Sequence, residues 1–291
     1  MREKLGDAAG PQQRMSAIIA VERVSKRYGG LTAVDACSFE VPRGSITGLI
    51  GPNGAGKTTL FNIMAGVTRP DAGRVILDGE DVAGRAPHEL FALGLSRTFQ
   101  IPKEWARMTV IENLMVVPGR QSGERILAAW FRPGLVRSEE RAIRRRAEEV
   151  LEMLGLASHR LALAGTLSGG QKKLLELGRT MMVDAKLVLL DEPGAGVNRT
   201  LLGDLAHYIE RLHRERGTSF CIIEHDMDLI TRLCDPVIVM AEGRVLAQGD
   251  MATIKADEAV REAYLGMPAS GAAAPTNAAA RGAAARMSRV R

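Results

Sequence analysis

Apolar and polar positions change their period several times along this chain, and each change predicts an element. In "DACSFEV" the apolar residues Cys37, Phe39 and Val41 alternate with polar ones. A period of two predicts a half-buried strand. "SITGLI" reads as a buried strand. Lys57 to Ala65 follows at helical spacing, and Gly66 stops it. "GRVILDGEDV" predicts two strands closed around Asp78-Gly79, a favoured tight-turn dipeptide. From about Pro87 to Met182 the character changes, and "SEERAIRRRAEEVLEMLGL" reads as a helix. Its residues Ile143, Val150, Leu151 and Leu154 form an apolar stripe, and the charges around them form a solvated face. "PGRQSGERILAAWFRPG" reads as an insertion between helices. Its Trp130 and Phe131 are expected to cover the core, with contact to a partner as the alternative. Strand-like runs return in "KLVLLDEP", "SFCIIEHD" and "PVIVMAEGRVLAQG", the last a hairpin turning at Glu242-Gly243. Strands alternating with helices imply a parallel sheet of βαβ type.

The two ends carry no such pattern. Residues 1–16 are polar and patternless, and 267–291 are rich in alanine and arginine, so both are expected to be disordered. Met15 is a second candidate start. The formal charge of +5 is largely a property of the tail: without Arg281, Arg286, Arg289 and Arg291 it is +1. That balance gives no support to a nucleic-acid surface. No run of about 18 apolar residues occurs, so no membrane-spanning segment is expected. "MSAIIAV" is too short and lacks the cleavage-like site of a signal peptide. Three cysteines, Cys37, Cys221 and Cys234, stand far apart without a C-x-x-C pair. They argue against a disulfide framework or a zinc site and fit a reduced, cytoplasmic setting. No internal repeat is present.

One stretch cannot be explained by packing. Gly51-Pro52-Asn53-Gly54-Ala55-Gly56-Lys57-Thr58 fits G-x-x-x-x-G-K-[ST] at every fixed position and lies between a strand and a helix. Glycines let successive backbone N–H groups turn inward toward an anion, and the helix start adds its positive end. Lys57 reaches β- and γ-phosphates, and the Thr58 hydroxyl suits Mg²⁺. Gly51 to Thr58, with Thr59 after them, are therefore candidate ligands of a nucleoside triphosphate. An acid should close the same site from the end of a strand. "LVLLDEP" supplies Asp191 for Mg²⁺, directly or through water, and Glu192 to orient or deprotonate the attacking water.

A second anion site decides the class. "LSGGQ" precedes a helix, so Ser168, Gly169, Gly170 and Gln171 form another cradle at a helix start. Two cradles in one chain with one phosphate loop suggest head-to-tail pairing, each chain closing on the γ-phosphate held by its partner. This constellation resembles the ATP-binding cassette (ABC) family over roughly residues 17–266. The resemblance implies an α/β P-loop NTPase fold: a RecA-like parallel-sheet core, an antiparallel β subdomain and a helical subdomain at about 101–182. It implies ATP and Mg²⁺ as ligands.

It also implies roles for further residues. Gln100 in "SRTFQ" matches the Q-loop glutamine, which touches Mg²⁺ and the attacking water. His225 in "IIEHD", 33 residues after Glu192, matches the switch histidine at the γ-phosphate. Tyr28 matches the aromatic residue that stacks on adenine. "GAGVN", residues 194–198, occupies the D-loop position, with Asn198 where many family members carry an acid. "DEPGAGVN", "IEHDM" and "EAYLG", with the long insertion, resemble ATPase subunits of importers for branched-chain and other hydrophobic amino acids. Such a subunit would work at the cytoplasmic face of the inner membrane. Its expected partners are transmembrane permease subunits, a second ATPase subunit (identical or different) and, indirectly, a solute-binding protein. No nucleic-acid partner is implied. An importer of urea or short amides is an alternative, as is a soluble ABC ATPase outside transport. Against the latter, no sustained heptads and no second phosphate loop are present.

Overall fold

Ten strands, among the residues described, divide into two sheets. The computed structural model describes residues 17–98, 104–119 and 121–265, without the side chains of 127–129, 264 and 265. The two chain ends, including Met15, and Gln100 lie outside the described residues. In chain order the elements are β1 (Ala17–Tyr28), β2 (Leu31–Pro42), β3 (Ile46–Ile50), α1 (Lys57–Met64), β4 (Ala72–Leu77), β5 (Glu80–Asp81), α2 (Pro87–Ala92), β6 (Leu95–Arg97), α3 (Val110–Met115), α4 (Ile126–Phe131) and α5 (Pro133–Met153). They continue with α6 (Gly169–Met181), β7 (Leu187–Asp191), α7 (Arg199–Arg216), β8 (Ser219–Ile223), α8 (Met227–Leu233), β9 (Val237–Ala241), β10 (Arg244–Gly249), α9 (Met251–Ala256) and α10 (Glu258–Leu265). Among the described residues no helix is long and apolar enough to cross a membrane.

The larger sheet runs β10-β9-β3-β8-β7-β6. Its strands pair in parallel except β10, which runs antiparallel to β9 along one edge. The smaller sheet, β2-β1-β4-β5, is antiparallel. Strand β1, as long as β2, begins in the "MSAIIAV" segment. Ala17 to Val21 are buried there, which explains the apolar run.

Strands β3, β7 and β8 are buried at every position because both faces of the sheet are covered. Their side chains alternate between two cores, as the period of a strand requires. Val188, Leu190, Phe220 and Ile222 enter one core with the helices α3, α5, α6 and α7. Leu187, Leu189, Cys221 and Ile223 enter the other, with α1 and the smaller sheet. Each such side chain contributes roughly 1.5–3 kcal/mol on full burial.

The stripe on α5 packs as its spacing demands. Val150, Leu151 and Leu154 are buried against Leu114 and Leu174, and Ile143 is half-buried beside them. The insertion departs from expectation. Trp130 is 80% exposed and Phe131 77% exposed, so neither covers the core. The stripes of α3, α5 and α6 already fill that interior, and the six-residue α4 stands off it.

Candidate nucleotide site

Five parallel strands of the larger sheet end on one edge, and sequence motifs sit at three of those ends. The phosphate loop follows β3. Asp191 ends β7, and Glu224 and His225 follow β8. Open parallel sheets bind ligands outside the carboxyl ends of their strands.

The loop is shaped by backbone proximity. Gly56 has φ 94°, and a Cβ there would lie 2.2 Å from the carbonyl oxygen of Ala33. A Cβ on Gly51 would lie 2.1 Å from the Met240 carbonyl oxygen. Only glycine permits either approach. The Gly243 N–H donates to the Ala55 carbonyl at 3.1 Å, tying the loop to the β9–β10 turn. The Ala55 N–H donates to the Pro52 carbonyl at 3.2 Å, while Asn53 and Gly54 are exposed. Helix α1 starts without a side-chain cap and without an acid in its first turn. Its first N–H groups, at Lys57, Thr58 and Thr59, therefore have no side-chain acceptor competing for them.

The Lys57 ammonium donates to the Gly51 and Pro52 carbonyls at 2.8 and 3.0 Å. Burial pulls its pKa below the usual lysine value, and the Glu192 and Asp191 charges act against that shift. Tyr28 closes β1 and pairs with Leu31, so it belongs to the same hairpin as Ala33. Its ring is half exposed, with the Lys26 ammonium 5.6 Å from the ring centre.

Asp191 is buried, and burial raises its pKa against the lowering effect of Arg97. Arg97 Nη2 donates to Asp191 Oδ2 at 3.0 Å, and Arg97 Nη1 donates to Asn62 Oδ1 at 2.6 Å. The other oxygen, Asp191 Oδ1, is buried without a hydrogen-bond partner. Such an orphan is costly unless a ligand uses it. Asp191 Oδ1 and the exposed Thr58 hydroxyl are hard oxygen donors, which fits Mg²⁺. Among the described residues no group of His, Cys, Asp and Glu could hold a metal ion by itself.

Glu192 and His225, read separately in the sequence, meet here: Nε2 of His225 lies 3.0 Å from Oε1 of Glu192. Glu192 has φ 51°, a left-handed backbone that costs a non-glycine residue about 1–3 kcal/mol. Two neighbours that sequence reasoning missed act on this turn. Glu224, beside His225 in "IIEHD", is 4% exposed; Oε1 accepts the Gly194 N–H, and Oε2 accepts the His225 N–H at 3.0 Å. Lys173 on α6 donates to the carbonyls of Glu192 and Ala195. A cavity of about 20 Å³, lined by Lys173, Asp191 and Glu192 among others, separates α6 from the strand end.

The second cradle is built differently. Ser168 caps α6 in a reciprocal box: Gln171 N–H donates to Ser168 Oγ at 3.3 Å, and Ser168 N–H donates to Gln171 Oε1 at 3.0 Å. Ser168 and Gly169 are exposed, and Gly170 and Gln171 are half-buried. Asn198 spends its side-chain oxygen as the cap of α7, accepting the Leu201 N–H at 2.9 Å.

Comparison with known proteins places the chain among ATP-binding cassettes. The ABC transporter family model matches residues 34–195, and the model of the branched-chain amino acid ATP-binding cassette transporter matches 244–266. A probable branched-chain amino acid transport ATP-binding protein, LivG of Archaeoglobus fulgidus, is 43% identical over 86% of this chain and 95% of its own. The high-affinity branched-chain amino acid transport ATP-binding protein BraF of Pseudomonas aeruginosa is 37% identical over 86% of this chain and 98% of its own. The crystal structure of the ADP conformation of an ATP-binding cassette aligns at TM-score 0.72 and 36% identity, over 86% of this chain and 99% of that one.

Proposed function

The chain belongs to the ABC transporter family, and from that premise we propose that it is the ATP-binding and ATP-hydrolysing subunit of an importer for branched-chain amino acids. The match of 244–266 and the names of the relatives favour that solute class over urea or short amides. Permease subunits would span the membrane beside it, at its cytoplasmic face. A solute-binding protein would deliver cargo on the far side.

The observation that carries the hydrolytic reading is the 3.0 Å contact between Glu192 and His225 at the sheet edge that holds the phosphate loop. In this reading the N–H groups at the start of α1 and Lys57 hold the phosphates. Glu192 directs water at the γ-phosphorus, in line with the leaving oxygen. His225 holds the Glu192 carboxylate in place and reaches the γ-phosphate. Thr58 and Asp191, with Gln100, would hold Mg²⁺, which when bound neutralises charge on the phosphates. Tyr28 would stack on the base. Ser168, Gly169, Gly170 and Gln171 would close on the nucleotide of a second subunit.

Glu192→Gln tests this. The variant should bind ATP with wild-type affinity, lose at least about 100-fold in turnover and elute as a dimer with ATP. Wild-type turnover would remove Glu192 from the chemistry. A monomer with ATP, alone or with a second ATPase subunit, would end the pairwise reading. Uptake of leucine rather than urea by the reconstituted transporter tests the solute class.

A further inference from the structure

Glu192 alone among the described non-glycine residues of the site has a left-handed backbone. Such a conformation persists only where its surroundings over-determine it. Here its own turn, β8 and α6 hold it. The Glu192 N–H donates to the Ile223 carbonyl at 2.9 Å, and the Ala195 N–H closes the turn on the Glu192 carbonyl at 3.1 Å. From the β8 side, the buried Glu224 carboxylate accepts one N–H on each side of the Glu192–His225 contact, those of Gly194 and His225. From the helix side, the Lys173 ammonium donates to the carbonyls of Glu192 and Ala195. Gly194 must be small: a Cβ there would lie 2.7 Å from Glu224 Oε1 and 2.7 Å from Leu202 Cδ1.

The parts fit chemically. Charge-assisted hydrogen bonds to backbone groups are stronger than neutral ones and set a direction. Burial lowers the Lys173 pKa, and the neighbouring Glu224 charge works to keep it protonated. Neither side chain has a role in phosphate binding in the reading above. Lys173 also belongs to α6, whose first turn carries Ser168, Gly169 and Gly170.

We propose that Lys173 and Glu224 are positioning residues that clamp the turn presenting Glu192, and that Lys173 makes this turn move with the helix carrying the exposed Ser168 cradle. A shift of α6 on engaging a second subunit's nucleotide would then reset the water-directing carboxylate of its own chain. The clamp rests on the proposed hydrolytic role of Glu192; the link between sites rests on the pairwise reading.

Lys173→Met, Lys173→Arg and Glu224→Gln in the full-length chain test the clamp. Misplacing a reacting group by about 1 Å costs on the order of 100-fold, so Lys173→Met should lower kcat about 10- to 100-fold. KM and ADP affinity should stay within about two-fold, since the phosphate loop is untouched. Lys173→Arg should restore most of the rate. Glu224→Gln replaces one acceptor by a donor and should lower kcat similarly. Hydrogen exchange of the peptide containing Gly194 and Ala195 should rise at least about ten-fold in Lys173→Met and Glu224→Gln, with the phosphate loop unchanged. Unaltered kcat, a fall in kcat without faster exchange in this turn, or an equal loss of nucleotide affinity would each overturn the clamp. Dimerisation of Glu192→Gln with ATP is scored separately. Its failure sinks the pairwise reading and leaves the clamp standing on the exchange data.

Discussion

Two helices of this molecule begin with glycines at an anion cradle, and they are finished in opposite ways. Helix α1 follows Gly56 and has no side-chain cap. Helix α6 follows Ser168 and closes a complete capping box with Gln171. The first start leaves its donors to a ligand and depends on Lys57 and a tightly constrained loop. The second satisfies part of its own need through that box and stays exposed. In the proposed reading, the difference teaches how one chain can carry two phosphate-facing ends with different work: one to hold a nucleotide, the other to be brought to one.

The sharpest way to break this comparison is Lys57→Ala. It should abolish nucleotide binding and hydrolysis, read by titration calorimetry and phosphate release; retained turnover would refute the assignment of α1. Next comes a matched pair of glycine substitutions. Gly56→Ala forces a Cβ against the Ala33 carbonyl at positive φ and should cost more than about 2 kcal/mol in stability, with loss of ADP binding. Gly169→Ala meets nothing within 4 Å and should leave melting and ADP affinity unchanged while slowing turnover about ten-fold. Equal behaviour of the two variants would erase the distinction. The smallest effect belongs to Ser168→Ala. Loss of a cap costs about 1 kcal/mol, a fall in melting temperature of roughly 2–4 °C, with ADP affinity of the monomer intact.

Local signals made much of this legible before the fold was seen. Alternation in "DACSFEV" and the Asp78-Gly79 turn gave strands because they depend on neighbours in sequence. The tight loop was legible because glycines at Gly51 and Gly56 permit a backbone approach that no other residue allows, and Asp191 was legible as an acid ending an apolar strand. The rest needed three dimensions. Arg97 reaches Asp191 across 94 residues, and Glu224 reaches Gly194 across 30. No periodicity encodes such pairs. Asn198 was read as a departure from an acid at the D-loop; its oxygen serves as a helix cap, a role Asp and Asn share. Trp130 and Phe131 are expected to cover the core, with contact to a partner as the alternative, and both are exposed because the neighbouring helices fill that interior.

The strands β3, β7 and β8 serve as a common wall between two interiors, with odd positions in one and even positions in the other. Sliding any of them by one residue would turn both interiors inside out at once. The edge from which the phosphate loop, Asp191 and His225 project is therefore pinned by both interiors at once. In the proposed reading, a stroke toward a permease would be made by the helices packed on that wall, and the wall would supply the fixed point they push against.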